Sequence, residues 1–394
     1  MNIQPASFAA QAAPQFDVLP PLSLYIHIPW CVRKCPYCDF NSHAARGALP
    51  ETEYVAALLA DLEAALPRVW GRTVQTVFLG GGTPSLLSAA ALEALLSGVR
   101  ARLPLAADAE VTLEANPGTV EAEKFAGFRA AGVNRLSLGI QSFNDRHLAA
   151  LGRIHDAAEA RRAVELALTA FDNVNLDLMY GLPAQTPDEA ATDIAAAIAY
   201  APQHLSVYHL TLEPNTWFHR YPPPLPDDDT VADMQIALEA QLAAAGYAHY
   251  ETSAFARAGS QSRHNLNYWM FGDYLGIGAG AHSKISFKNK VLRESRARAP
   301  KAYLAQADSG AWETESRAIS AGELPGEFMM NALRLNAGFE LSLFAARTGL
   351  ALTAVLAALD QAEARGLIVR DHQRVRPTPT GRRFLNDLIQ IFLP

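Results

Sequence analysis

LSLYIHIPWCVRKCPYC, residues 22–38, carries an alternating apolar run straight into a loop that holds every cysteine of a 394-residue chain. The first half, LSLYIHIP, has the period of two and the bulky residues of a β-strand. The second half spaces its thiols C-x3-C-x2-C, and no fourth cysteine follows. Three thiols cannot close into a disulfide set. Crowded on one loop, they fit metal ligation in a reducing compartment, so a cytoplasmic protein is expected.

Further runs like the first recur along the chain. TVQTVFLG (73–80), AEVTLEANP (109–117), NRLSLGIQS (134–142), NVNLDLMYG (173–181) and HLSVYHLTLEP (204–214) read as strands. Between them, segments near 51–66, 88–101, 119–131, 144–170 and 187–200 are rich in Ala and Leu and read as helices. Strict alternation argues for βαβ units and a parallel sheet with right-handed crossovers. The residues able to do chemistry gather at the strand ends. The cysteine loop follows the first strand and GGGTP (80–84) the second. Glu114, Gln141 and Asp177 close or nearly close the next three, and His209 and Thr211 come late in the sixth. Barrels place chemistry at this rim, whereas an open sheet concentrates it at one switch point. The expected fold is α/β, a partial (β/α)6 TIM-type barrel.

Outside the barrel, YPPPLPDDDT (221–230) breaks the alternation, and Asp229 or Thr230 can cap a helix near 231–246. RHNLNYW and YLGIGAGAHS follow with fewer signals, in a core expected to run over 21–285. From about 300 to 394 the chain turns helical. A helix, GLIVRD, a polar turn and RVRPT then predict a small winged-helix-like domain. Residues 1–20 read as a disordered arm, without the features of a secretion or transit signal. No run of about 18 apolar residues is present to span a membrane. Net charge is −7, so no nucleic-acid partner is expected despite the arginines of the wing.

A cubane iron–sulfur cluster is normally held by four thiolates. Three leave one iron open to a chelating amine and carboxylate, such as the methionine end of S-adenosylmethionine. A Cys3His zinc site using His43, or thiols without any ligand, are the alternatives that spacing leaves open.

YIHIPWCVRKCPYC with GGGTPS resembles the radical S-adenosylmethionine superfamily. NRLSLGIQSFND, NLDLMYGLPAQT and HNLNYW extend the likeness to the group of oxygen-independent coproporphyrinogen III oxidases and their heme-chaperone relatives. The resemblance implies a 4Fe–4S cluster on Cys31, Cys35 and Cys38. It implies cofactor contacts at Tyr25, Tyr37, Gly81, Gly82, Thr83, Glu114, Gln141, Arg153, Asp177 and Thr211, some of which serve a second cofactor molecule in the oxidase. His27 reads first as a packed strand histidine.

Within that group, the oxidase motif continues to a cysteine two positions after the third ligand, where this chain has Phe40. RHNLNYW (263–269) resembles the HNxxYW signature of the heme chaperones, which implies His264 as the residue linked to heme. The expectation is a heme-binding chaperone that passes heme to an acceptor protein. The alternative is an oxidase that decarboxylates coproporphyrinogen III. KISFKNKVLRESRARAPK (284–301), with seven Lys or Arg, reads as a solvated face, with heme propionates or an acidic membrane surface as its functional alternative. A homodimer is left open.

Overall fold

The computed structural model describes residues 13–119 and 122–394. Six βα-type strands appear where the pattern places them: β1 (Leu22–Ile28), β2 (Val74–Gly81), β3 (Leu105–Ala115), β4 (Arg135–Gln141), β5 (Val174–Tyr180) and β6 (His204–His209). They lie parallel and in sequence order. Helices α1 (Glu51–Val69), α2 (Ala89–Arg102), α3 (Ala122–Ala130), α4 (Ala157–Ala170) and α5 (Pro187–Ala199) make the crossovers. The helix expected over 144–170 is two helices, Asp145–Ala150 and α4. Gly152 turns at φ +67° between them, and Asp156 opens α4 with a capping box to Glu159.

Each strand divides its side chains between two environments. Leu24, Ile26, Leu113, Leu136, Leu138, Leu176 and Leu178 are fully buried in the main apolar core. Each such side chain is worth about 1.5–3 kcal/mol of burial. The alternate residues, among them Ser23, Thr76, Ser137, Asn175 and Ser206, meet one another by hydrogen bonds inside the curve of the sheet. The barrel therefore has an apolar shell and a polar lumen.

After α6 (Asp228–Ala244), β7 (Ala248–Glu251) and β8 (Ala254–Ala256) finish one edge, β8 pairing antiparallel with β6 and β7 antiparallel with β8. Helix α7 (Arg263–Trp269) then enters the lumen. Glu110 accepts from the Arg263 and His264 amides at its N-terminus, at 3.1 and 3.0 Å, a favourable place for a carboxylate. The next strand, β9 (Asp273–Ile277), lies parallel to β1 on its free side. The six-stranded expectation thus gains a seventh parallel strand, and the glycines of YLGIG allow it. A Cβ on Gly276 would come within 2.0 Å of the His282 carbonyl. Strands β10 (His282–Phe287), β11 (Lys290–Arg296) and β12 (Glu313–Ala318) continue the sheet antiparallel.

This extension corrects the reading of 284–301 as a solvated face. Lys284 is buried on Asp273 at 3.0 Å, Arg296 is buried on Asp61 at 2.9 Å, and Arg293 pairs with Glu327. Three of the run's seven positive charges are thus engaged by acids of the fold, while Lys288, Lys290, Arg298 and Lys301 stay exposed. It also carries the large sheet past the expected boundary near 300, because β12 belongs to it.

The C-terminal unit packs α8 (Leu324–Ala332), α9 (Leu341–Thr348) and α10 (Leu356–Ala364) with a three-stranded sheet. That sheet joins β13 (Phe339–Glu340), β14 (Ile368–Arg370) and β15 (Arg374–Pro377). Phe328, Phe339 and Phe344 meet edge to face in its separate core. Of the wing arginines, Arg370 is held by Glu363 at 2.9 Å and Arg374 by Glu340 at 3.3 Å.

The disordered arm expected to residue 20 is corrected over 13–20, since Phe16 is buried in this second core. Its amide bonds to the Lys288 carbonyl at 2.9 Å, and the Gln15 amide to Gly349 at 2.8 Å. The first twelve residues lie outside the described residues.

Candidate cofactor site

The cysteine loop and the GGGTP turn are pinned to each other through their backbones. The Gly82 and Thr83 amides donate to the Ile28 and Trp30 carbonyls at 2.8 and 2.7 Å. A Cβ on Gly82 would sit 2.5 Å from the Trp30 oxygen, so only glycine permits this approach. Gly81, at φ +115°, similarly has no room for a side chain against the His27 ring.

Cys31, Cys35 and Cys38 are free, half-buried thiols facing one cavity of about 690 Å3. Burial pushes Cys31 and Cys38 up in pKa. Polar groups offset this. Thr83 Oγ1 donates to Cys31 Sγ at 3.5 Å, Ser42 Oγ lies 3.8 Å from Cys38 Sγ, and Arg153 Nη1 lies 3.8 Å from Cys35 Sγ. Donors and a cation beside sulfur favour thiolates, so the set fits a thiolate-bound cluster. Among the described residues no three His, Cys, Asp or Glu gather around one ion position.

The same cavity brings together Tyr37, Gly81, Gly82, Thr83, Glu114, Gln141, Arg153, Asp177 and Thr211. Glu114 accepts the Gly81 amide at 3.1 Å. Burial, aided by the nearby Asp177, pushes Glu114 up to about 8. Asp177 is also raised by burial, although Asn175 and Ser137 donate to it at 2.8 and 2.9 Å. Among the described residues neither carboxylate forms an ion pair, although Arg135 pulls Asp177 back, and two desolvated acids of this kind suit a positively charged guest. Gln141 ends β4 at φ +67°, a strained conformation for a residue with a side chain, at a bulge opposite β5. Thr211 is exposed at the rim and donates to Glu213 at 2.7 Å.

Two expected residues stand apart. Tyr25 faces a neighbouring cleft, with its hydroxyl 3.0 Å from His27 Nδ1. His264 is sealed in the floor, 2% exposed, with Nδ1 2.8 Å from Thr76 Oγ1 and its ring stacked on Phe78. Among the described residues its buried Nε2 has no hydrogen-bond partner. Burial, with Arg135 nearby, pushes it down to about 3, so the ring is neutral.

Asn116 and Arg135 are part of the site and escaped the sequence reading. Asn116 donates to Thr83 at 2.8 Å and accepts from Arg153, tying the glycine turn to the arginine. Arg135 lines the lumen at 2% exposure, and among the described residues its Nε has no hydrogen-bond partner. The alternation of polar residues in NRLSLGIQ was the signal for Arg135. Asn116 follows Glu114 just past a strand end, as its partners do.

Taken together, a three-thiol loop at the C-terminal rim of a partial parallel barrel, beside a glycine turn and an acidic lumen, has the form of a radical S-adenosylmethionine protein. Residues 25–196 match the radical SAM superfamily, and residues 319–384 match the HemN C-terminal domain. The chain is 51% identical to heme chaperone HemW of Escherichia coli over 377 residues, covering 95% of this chain and 99% of that one. It is 36% identical to mouse mitochondrial radical S-adenosyl methionine domain-containing protein 1, covering 99% and 93% of the two chains. The solved structure of E. coli coproporphyrinogen III oxidase HemN, described as a radical SAM enzyme, superposes with a TM-score of 0.81 at 26% identity, covering 95% and 90%. The chain belongs to the HemW family of the radical SAM superfamily.

Proposed function

We propose that the protein binds heme and delivers it to an acceptor protein, and that it carries a 4Fe–4S cluster on Cys31, Cys35 and Cys38 with S-adenosylmethionine at the open iron. The observation that carries the reading is the near full-length identity to the E. coli heme chaperone. The convergence of the thiols, the glycine turn and the acidic lumen on one cavity supports it. Bound there, the cluster would offer an iron position for amine and carboxylate chelation and a source of single electrons.

The chain's own residues perform the remaining tasks. Arg153 and Thr83 steady the sulfurs, while the Gly81–Gly82 backbone lets the guest approach closely. Glu114 and Asp177 accept hydrogen bonds from it and answer its positive charge. The oxidase reading is supported by the structural likeness to HemN, and weakened by Phe40 where the oxidase motif has a fourth cysteine.

Anaerobic reconstitution with iron and sulfide, followed by hemin titration, tests the proposal. It expects about four irons and four sulfides per chain and then a Soret band. Zinc without acid-labile sulfide, or no Soret band, would overturn the respective halves. Conversion of coproporphyrinogen III to protoporphyrinogen IX would establish the oxidase instead.

A further inference from the structure

A second cleft, of about 820 Å3, adjoins the cofactor cavity and shares Gly81, Glu114 and Phe40 with it. Its walls come from β1, α7 and the β9–β12 extension, the parts of the sheet that the six βα units leave unexplained. Tyr25, Tyr268 and Tyr274 face it, and the last two have ring centroids 4.3 Å apart, giving a broad aromatic surface.

His282 and Arg298 also line the cleft, and both are exposed. Among the described residues, no hydrogen bond engages the His282 ring and no ion pair engages the Arg298 guanidinium. Asn41 fixes the Arg298 backbone by donating to its carbonyl at 2.9 Å. His264 presents the opposite case. One ring nitrogen faces Thr76, the other is sealed, and Phe78 and Tyr268 flank the ring at 4.9 and 5.1 Å. His282 is thus open to a guest in the cleft, whereas His264 is closed off by the packing around α7.

We propose that this cleft takes an iron porphyrin, with His282 as an axial ligand to the iron and Arg298 meeting a propionate carboxylate. The inference rests on the heme-binding reading above. A neutral imidazole is a suitable iron ligand, and a guanidinium pairs readily with a carboxylate. Burial holds the His282 pKa down, with Arg293 and Arg298 lowering it further and Glu315 opposing, so the free electron pair is available at neutral pH.

The test is anaerobic titration of hemin into the full chain and into H282A, H264A and R298Q, read from the Soret and visible bands. H282A should lose the wild-type ligation spectrum and bind at least about tenfold more weakly. Added imidazole should restore the spectrum by occupying the vacated ligand position. R298Q should keep the ligation spectrum and bind a few-fold more weakly, with dimethyl-ester hemin removing that difference. H264A should weaken binding without altering the ligation signature. If H282A keeps the wild-type spectrum and affinity, the proposal is overturned while heme binding stands. If H282A loses heme and imidazole does not restore the spectrum, the proposal is also overturned. If the wild-type chain gives no Soret band, the heme reading itself falls.

Discussion

Asp61 and Glu114 are both buried carboxylates, one behind the sheet and one in the lumen, and the chain treats them differently. Asp61 accepts from Arg296 at 2.9 Å and Tyr303 at 3.0 Å, with the Gly278 amide at 3.3 Å. Burial raises its pKa, and Arg296 pulls it back. Glu114 has the Gly81 amide and a second acid nearby, and its value rises to about 8. A carboxylate with its cation supplied by the fold holds the fold together. One without a cation stores an electrostatic demand that a guest can meet.

The largest effect should come from breaking the structural acid. D61A removes the nearest anion from buried Arg296, leaving it only the longer contacts to Glu294 at 3.8 Å and Glu313 at 3.9 Å, and should cost about 3 kcal/mol in urea denaturation. Next, E114Q should weaken S-adenosylmethionine binding to the reconstituted protein by about tenfold, or about 1.4 kcal/mol by calorimetry. An unchanged affinity would remove Glu114 from the site.

The same substitution gives a signed pH test. The Glu114 value is raised in the folded chain, from an ordinary 4.5 to about 8. Its protonated form therefore favours the fold fully below the lower value, and that contribution is lost as pH rises through the upper one. Without the cluster or guest, E114Q should match the wild type near pH 5 and exceed it near pH 9. The smallest effect belongs to the exposed pair Arg129–Asp172, 2.7 Å apart. D172A should change stability by less than about 1 kcal/mol.

Much of the barrel was legible because its strands bury both faces and its helices separate them cleanly. Cys31, Glu114 and Asp177 were legible because thiols and carboxylates at strand ends have few bland explanations. β9 was harder, because its partner β1 lies some 250 residues earlier and its glycines read as a loop. Lys284 and Arg296 were misjudged for a related reason. Their anions, Asp273 and Asp61, meet them only across the folded sheet. The role of α7 was invisible, since no local pattern tells a helix that it will plug a lumen.

The segment that anchors Phe16 works as a staple. It clips the β10–β11 turn to the wing domain through Lys288 on one side and Gly349 on the other. Trimming the chain to its first strand would therefore not strip away an idle leader. It would pull an aromatic plug from the smaller core and cut a tie between the two halves of the molecule.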